Sequence, residues 1–325
     1  MATTGMCLEG HTQGCPYLTA DTATTVELLP ESASGESIQP TPAKQYHFHS
    51  GEKLTAIEAS RLIRAQPVKL ILCAGAQWAG KSTFIASIGE MFRKGSFRNI
   101  RFAGSKTLCA FERVSWLATI ASGGGQPDTE RTYRVEKDTF FHIQVRRVDD
   151  KADRIDVLIS DMPGEIFPEV VSTLDVCREQ LALMRADELV LFVDCKSLTD
   201  DAKRHSERDV ASRFLSQVKK CRHAPATLQV TVVFSRWDHV SQSDRKADHE
   251  AYCSVVEEEI RSRFGSVFGG LLFYRIAARP ASTKPTSKEI QTIFGNWLES
   301  SPSSPVVTVS RISKPARDFC AFGLK

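Results

Sequence analysis

What this chain can fold into is limited most by residues 68–93, where an apolar run, a glycine-bounded loop and an amphipathic pattern follow one another. Val68 to Cys73 is short, partly β-branched and shows little polar alternation, which predicts a strand buried on both faces. From about Lys81 onward, Phe84, Ile85, Ile88, Met91 and Phe92 fall on one side of a helix. Between them lies Gly75-Ala76-Gln77-Trp78-Ala79-Gly80-Lys81-Ser82, a GxxxxGKS sequence in the strand–loop–helix setting its chemistry requires. Glycines let successive N–H groups turn inward around a phosphate, and the helix N-terminus adds partial positive charge. Lys81 is placed to reach the β- and γ-phosphates and the Ser82 hydroxyl to ligate Mg²⁺, with Thr83 extending the cradle. A glycine turn before an ordinary helix is the bland alternative. The spacing favours a nucleoside triphosphate site.

With 325 residues, 42% of them hydrophobic, the chain has enough material for a full core and one small appendage. No apolar stretch approaches the roughly 20 residues needed to span a bilayer, and no basic-then-apolar leader opens the sequence. A net charge of +3 is spread over mixed-sign segments, so it points neither toward nor away from nucleic acid. The nine cysteines are an odd number without a CxxC pair. Cys73 and Cys195 lie in or beside apolar runs, which suits a reducing, cytoplasmic setting better than a disulfide framework.

Residues 1–19 carry Cys7, His11 and Cys15, three of the four ligands that tetrahedral zinc wants, so a degenerate zinc knuckle and an unliganded segment are both open readings. Residues 20–45, rich in Thr, Ser, Pro and Glu, read as a disordered linker. Residues 46–299 are the expected nucleotide domain and 300–325 a Ser/Pro-rich, basic tail. Within the domain, Thr55 is the expected N-cap of a short helix bearing Ile57, Ala59, Leu62 and Ile63, which Pro67 ends. A helical portion is expected around Leu108 to Ile120, single helices over 169–185, 201–220, 246–264 and 289–298, and strands over 139–147, 157–159, 189–193, 229–234 and 271–276. Gly265 is the expected C-cap of the 246–264 helix. This alternation predicts an α/β fold of the P-loop NTPase, GTPase-like kind: a mostly parallel sheet with helices on both faces.

Two further motifs fall at strand ends, and a switch candidate lies between them and the phosphate loop. Asp161-Met162-Pro163-Gly164-Glu165 follows the apolar run Val157-Leu158-Ile159, so Asp161 is expected to hold Mg²⁺ and Gly164 to let the backbone approach the γ-phosphate. Glu165 occupies the place of a water-orienting group, its alternative being a solvated loop residue. Upstream, a threonine after the flexible Gly123-Gly124-Gly125 and before a strand is where a switch could ligate Mg²⁺; Thr132 is the first choice and Thr129 the rival. Ser235-Arg236-Trp237-Asp238 follows another apolar run. A carboxylate at Asp238 accepts from the guanine N1–H and 2-amino group together, while Arg236 or Trp237 stacks on the base; the Ala277-Ala278 backbone is placed to contact the guanine oxygen.

This order of phosphate loop, Thr132, DMPGE, SRWD and IAARP resembles the motif set of the translation-factor-related (TRAFAC) P-loop GTPases. More closely, it looks like the bacterial double-GTPase (DO-GTPase) family associated with conflict and defence gene neighbourhoods. The similarity runs from about Ser50 to Leu298 and includes HSGEKLTAIEASRLI, FAGSKTLCAFER, PDTERT and the CLEGH…CP segment. The resemblance implies GTP binding and hydrolysis, Mg²⁺ dependence and a switch coupled to a protein partner. Two departures stand out: Ser235 and Arg236 replace the usual Asn or Thr and Lys, and Gln77-Trp78 puts bulk in the phosphate loop. A nucleotide-holding scaffold with little hydrolysis and an ATP-using phosphotransferase are the rival readings.

Overall fold

Val68–Gly75 forms strand β1, and every residue in it is buried. It lies at the middle of a sheet, as an unbroken apolar run requires. In the computed structural model, which describes residues 49–116, 138–148, 154–278 and 288–299, six further strands join it: β2 (Ile100–Gly104), β3 (Phe140–Arg147), β4 (Arg154–Asp161), β5 (Glu188–Asp194), β6 (Gln229–Ser235) and β7 (Gly270–Ile276). The order across the sheet is β2-β3-β4-β1-β5-β6-β7. Strands β4, β1, β5, β6 and β7 run parallel to one another, while β3 pairs antiparallel with both β4 and β2 at the edge. The described residues all belong to the unit Phe48–Lys325. Residues 1–48 and 300–325, and so the zinc candidates Cys7, His11 and Cys15, lie outside them, as do Thr129 and Thr132.

The period-two geometry of β1 divides the core. Leu70, Leu72 and Ala74 enter one apolar cluster, whereas Ile71 and Cys73 enter the other. The first cluster is closed by helices α1 (Ala56–Ala65), α4 (Phe167–Ser172), α5 (Leu174–Arg178), α6 (Leu181–Arg185), α8 (Arg204–Cys221) and α10 (Lys246–Phe264). The second is closed by α2 (Lys81–Arg93), α3 (Leu108–Trp116) and α11 (Lys288–Glu299), with Phe84, Phe294 and Trp297 in edge and tilted ring contacts. Each such side chain contributes roughly 1.5–3 kcal/mol of burial.

Helix termini follow local chemistry. Thr55 caps α1 in a reciprocal box with Glu58: the Glu58 N–H donates to Thr55 Oγ1 at 3.3 Å and the Thr55 N–H to Glu58 Oε2 at 2.8 Å. Gln66, preceding Pro67, is extended and ends the helix. Two expectations are corrected, and two details are added. Ile57 points to solvent, and Ala59 is the buried residue of α1. The expected single helix over 169–185 is three short ones, because Thr173 and Gln180 adopt extended conformations between them, and Leu181 on the third is exposed. Strand β2 lies in a stretch whose exposed, mixed residues carried no strand signal. Gly265 does cap α10, but at φ −58°, so no left-handed turn required glycine there.

Candidate nucleotide site

Parallel strands bring their C-terminal ends to one edge, and the motif residues follow β1, β4, β6 and β7 there. In the phosphate loop, Gly80 takes φ 84° as the N-cap of α2, a conformation that glycine adopts without strain. Trp78 is also left-handed, at φ 66°, which costs a non-glycine residue on the order of 1 kcal/mol. It is 60% exposed at the lip of the loop. Lys81 is buried, and its Nζ donates to the carbonyls of Gly75 and Ala76 at 2.9 Å each. Burial pushes its pKa down, and the nearby Asp161 carboxylate pushes it back up. The ammonium group is thus held beneath the loop whose N–H groups it would assist.

The register that sets Cys73 opposite Asp161 delivers the acidic loop to this point. The Ser82 hydroxyl donates to Asp161 Oδ2 at 2.7 Å, and the Met162 N–H to the Cys73 carbonyl at 3.0 Å. Gly164 lies directly on the phosphate loop: a Cβ there would sit 2.6 Å from Gln77 Cα and 2.8 Å from Gln77 N. In this structure, then, the absence of a side chain at Gly164 permits contact with protein backbone. Glu165 is exposed just ahead of α4.

Ser235 is buried, and its hydroxyl donates to the Val193 carbonyl at 3.2 Å. A Cβ on Gly80 would be 3.9 Å from Ser235 Cβ, so the SRWD loop borders the phosphate loop. Arg236, expected with Trp237 as a stacking candidate, is held by a neighbouring acid. Its guanidinium forks onto Asp194, with Nε donating to Oδ1 at 2.7 Å and the second nitrogen to Oδ2. Trp237 is half-buried under the Arg275 guanidinium, 5.3 Å from its ring centre, and its backbone N–H donates to the Ile276 carbonyl. The fork engages the edge of the Arg236 guanidinium, and Arg236 also lines the cleft beside the phosphate loop. Asp238 is half-buried at the start of α9 (Asp238–Ser241). The Ser87 hydroxyl, mainly bonded to Thr83, reaches the Ala278 carbonyl at 3.4 Å, so Ala277-Ala278 lies close to α2.

Two residues of this arrangement were not singled out from sequence. Asp194 ends β5 and caps α7 (Cys195–Leu198), donated to by the Lys196 N–H and the Ser197 hydroxyl in addition to Arg236. It ends an apolar strand, as Asp161 does, and that signal was available. Glu207, one turn into α8, accepts the Asp194 N–H at 2.8 Å. Burial, reinforced by the Asp194 charge, raises its pKa from 4.5 to about 7 against the Asp194 N–H and Arg236. The folded state therefore binds this proton more tightly than the unfolded chain, so its contribution to stability declines as pH rises from 4.5 to about 7. Glu207→Gln is expected to remove roughly 1–3 kcal/mol of that decline, read from denaturant midpoints across the same interval. An unaltered slope would refute the assignment.

Between the two loops opens a polar cleft of about 660 Å³, lined by Gln77, Trp78, Asp194, Lys196, Arg236 and His239 among others. For Mg²⁺, the fit lies in donor chemistry: the Ser82 hydroxyl and Asp161 carboxylate are hard oxygen donors meeting at the N-terminus of α2. Among the described residues, no group of three or more His, Cys, Asp or Glu side chains could hold a metal by itself. Two donors suffice for an ion that takes its remaining ligands from phosphates and water.

A mostly parallel sheet with a phosphate loop, an acidic loop and a base-loop candidate at adjoining strand ends defines a P-loop domain of the GTPase type. The chain belongs to the Double-GTPase 2 family, whose profile matches residues 69–298. Among solved structures, the Saccharomyces cerevisiae Ski7 GTPase-like domain, bound to GDP and inorganic phosphate, is similar at 15% identity and TM-score 0.37, over 74% of this chain and 52% of that one. The signal recognition particle receptor SRb-GTP/SRX complex from Chaetomium thermophilum is similar at 11% identity and TM-score 0.35, over 70% of this chain and 98% of that one. Sup35 complexed with GMPPNP is similar at 14% identity and TM-score 0.34, over 77% and 50%. This chain spans about half the length of the Ski7 structure. No curated protein matches it. No described helix is long and apolar enough to cross a membrane.

Proposed function

We propose that this chain binds GTP where β1, β4 and β6 end, hydrolyses its terminal phosphoanhydride and acts as a partner-coupled switch. The observation that carries the proposal is the 2.7 Å bond from Ser82 to Asp161, which joins the phosphate loop to the acidic loop across 79 positions of sequence. In this reading the N–H groups of Gly75 to Thr83 and the Lys81 ammonium stabilise charge on the transferred phosphoryl group; positioning and electrostatics carry most catalysis of this kind. Lys81 would exchange its two carbonyl partners for phosphate oxygens. Ser82 and Asp161 would hold Mg²⁺, which neutralises charge on the β- and γ-phosphates when bound. Glu165 orients the attacking water, Thr132 supplies the switch hydroxyl, and Asp238 reads guanine with help from Ser235, Ala277 and Ala278.

Arg236, fixed edge-on to Asp194, would also brace the loop that presents Asp238. Cytoplasmic residence, a role in bacterial conflict or defence, and the division into an N-terminal segment, linker, domain and tail belong to the same proposal. A second reading, a scaffold that retains GTP and turns it over little, is favoured by one feature. The close approach of Gly164 to the Gln77 backbone occupies space next to the phosphate loop. Multiple-turnover phosphate release separates the readings. GTP-driven release at least about 10²-fold above a Lys81→Ala control is expected. Release equal to that control, with tight GTP retention, would establish the scaffold, and preference for ATP in competition would remove the guanine assignment.

A further inference from the structure

Helix α5 carries Cys177 and the last residue of α8 is Cys221. Their sulfurs are 3.0 Å apart, the Cys177 thiol donating to Cys221, although 44 positions separate them in sequence. Both cysteines are free. Bonded sulfurs stand about 2.05 Å apart, so closure needs roughly 1 Å of movement. The two thiols are not equivalent. Cys177 is completely buried, whereas Cys221 is 6% exposed at the end of its helix. The Cys177 hydrogen bond, helped by the Arg222 and Arg178 charges, holds the Cys221 pKa below its usual value against burial. The same bond and burial push Cys177 up. This is the asymmetry of an attacking and a resolving thiol.

We propose that Cys177 and Cys221 form a reversible dithiol–disulfide site that takes a peroxide as its oxidant and ties α5 to the end of α8. The Cys221 thiolate attacks a peroxide oxygen, the O–O bond breaks, and the departing oxygen leaves as water or an alcohol after taking a proton. Cys221 is then a sulfenic acid. The Cys177 sulfur, losing its proton, displaces the sulfenic hydroxyl as water and forms the S–S bond. Two thiols are oxidised and one peroxide is reduced. A dithiol reductant returns both thiols. The tie falls on a short-helix segment, 167–185, that continues directly from the Asp161–Glu165 loop. Cys195 and Cys253 also touch, but both are fully buried, so peroxide is expected to reach them later.

The test uses the full chain, reduced, exposed to hydrogen peroxide in native buffer, alkylated and digested without reductant. The expected result is a dominant crosslinked peptide joining Cys177 to Cys221, lost after dithiothreitol. In Cys177→Ser, dimedone is expected to trap a sulfenic acid at Cys221. Amide exchange of 167–185 in the wild-type chain is expected to slow on oxidation, with Tm rising by several degrees as a loop is closed. The proposal is overturned if the crosslink forms only in unfolding denaturant, if Cys195–Cys253 or an intermolecular Cys109 bond forms first, or if exchange over 167–185 is unchanged. None of these readouts depends on nucleotide turnover.

Discussion

Gly164→Ala is expected to lower GTP turnover by about 10²-fold or more while leaving nucleotide affinity within roughly fivefold. A Cβ at this position would come within 2.6 Å of Gln77 Cα and 2.8 Å of Gln77 N. Those are backbone atoms of a loop fixed by β1 and α2, and they cannot swing aside as a flexible side chain would. The acidic loop must lift instead. Lifting would move the Glu165 backbone away from the phosphate loop, yet Lys81 and the N–H groups of the loop would still grip the phosphates. Phosphate release assays together with fluorescent-nucleotide titration measure both quantities. Full turnover in the variant would show that the contact with Gln77 has no part in the cycle. Loss of binding as well as turnover would mean that the phosphate loop yields first.

Asp238→Asn is expected to weaken GTP binding by about 100-fold and to raise affinity for xanthosine triphosphate by a similar factor. Guanine offers two donors, N1–H and the 2-amino group, and a carboxylate accepts from both. An amide accepts from one and donates to the other, which matches the 2-oxo group of xanthine. Two charge-assisted hydrogen bonds at a half-buried side chain account for a factor of this size, about 3 kcal/mol. Competition calorimetry with the two triphosphates gives the answer, and unchanged selectivity would remove Asp238 from the base site. Because Arg236 is held by Asp194, Asp194→Asn is a useful companion variant.

Most of the sheet was legible from residues alone. The β1, β5 and β6 strands each carry a short, mostly apolar run, and a run of that kind fits best between neighbours on both faces. Helices α2, α8, α10 and α11 were legible for the complementary reason, a sustained 3.6-residue apolar spacing. Phe84, Phe214, Ile260 and Trp297, on the apolar faces of these helices, are all buried. Legibility failed where the signal is weak or cooperative. Strand β2 alternates little and gains its place from pairing with β3. The breaks at Thr173 and Gln180 leave the apolar spacing largely intact, so periodicity reported one helix where three stand.

Sequence by itself determined the order of the main strands and long helices, the parallel core and the strand-end address of the phosphate, acidic and base loops. Those follow from which residues avoid water and from the spacing at which they recur. Tertiary structure alone decided the partners: Ser82 with Asp161, Gly164 with Gln77, Arg236 with Asp194, Cys177 with Cys221. Each pair is remote in sequence, and its contact depends on strand order and helix placement to within an ångström. No local pattern of polarity encodes a distance of that kind.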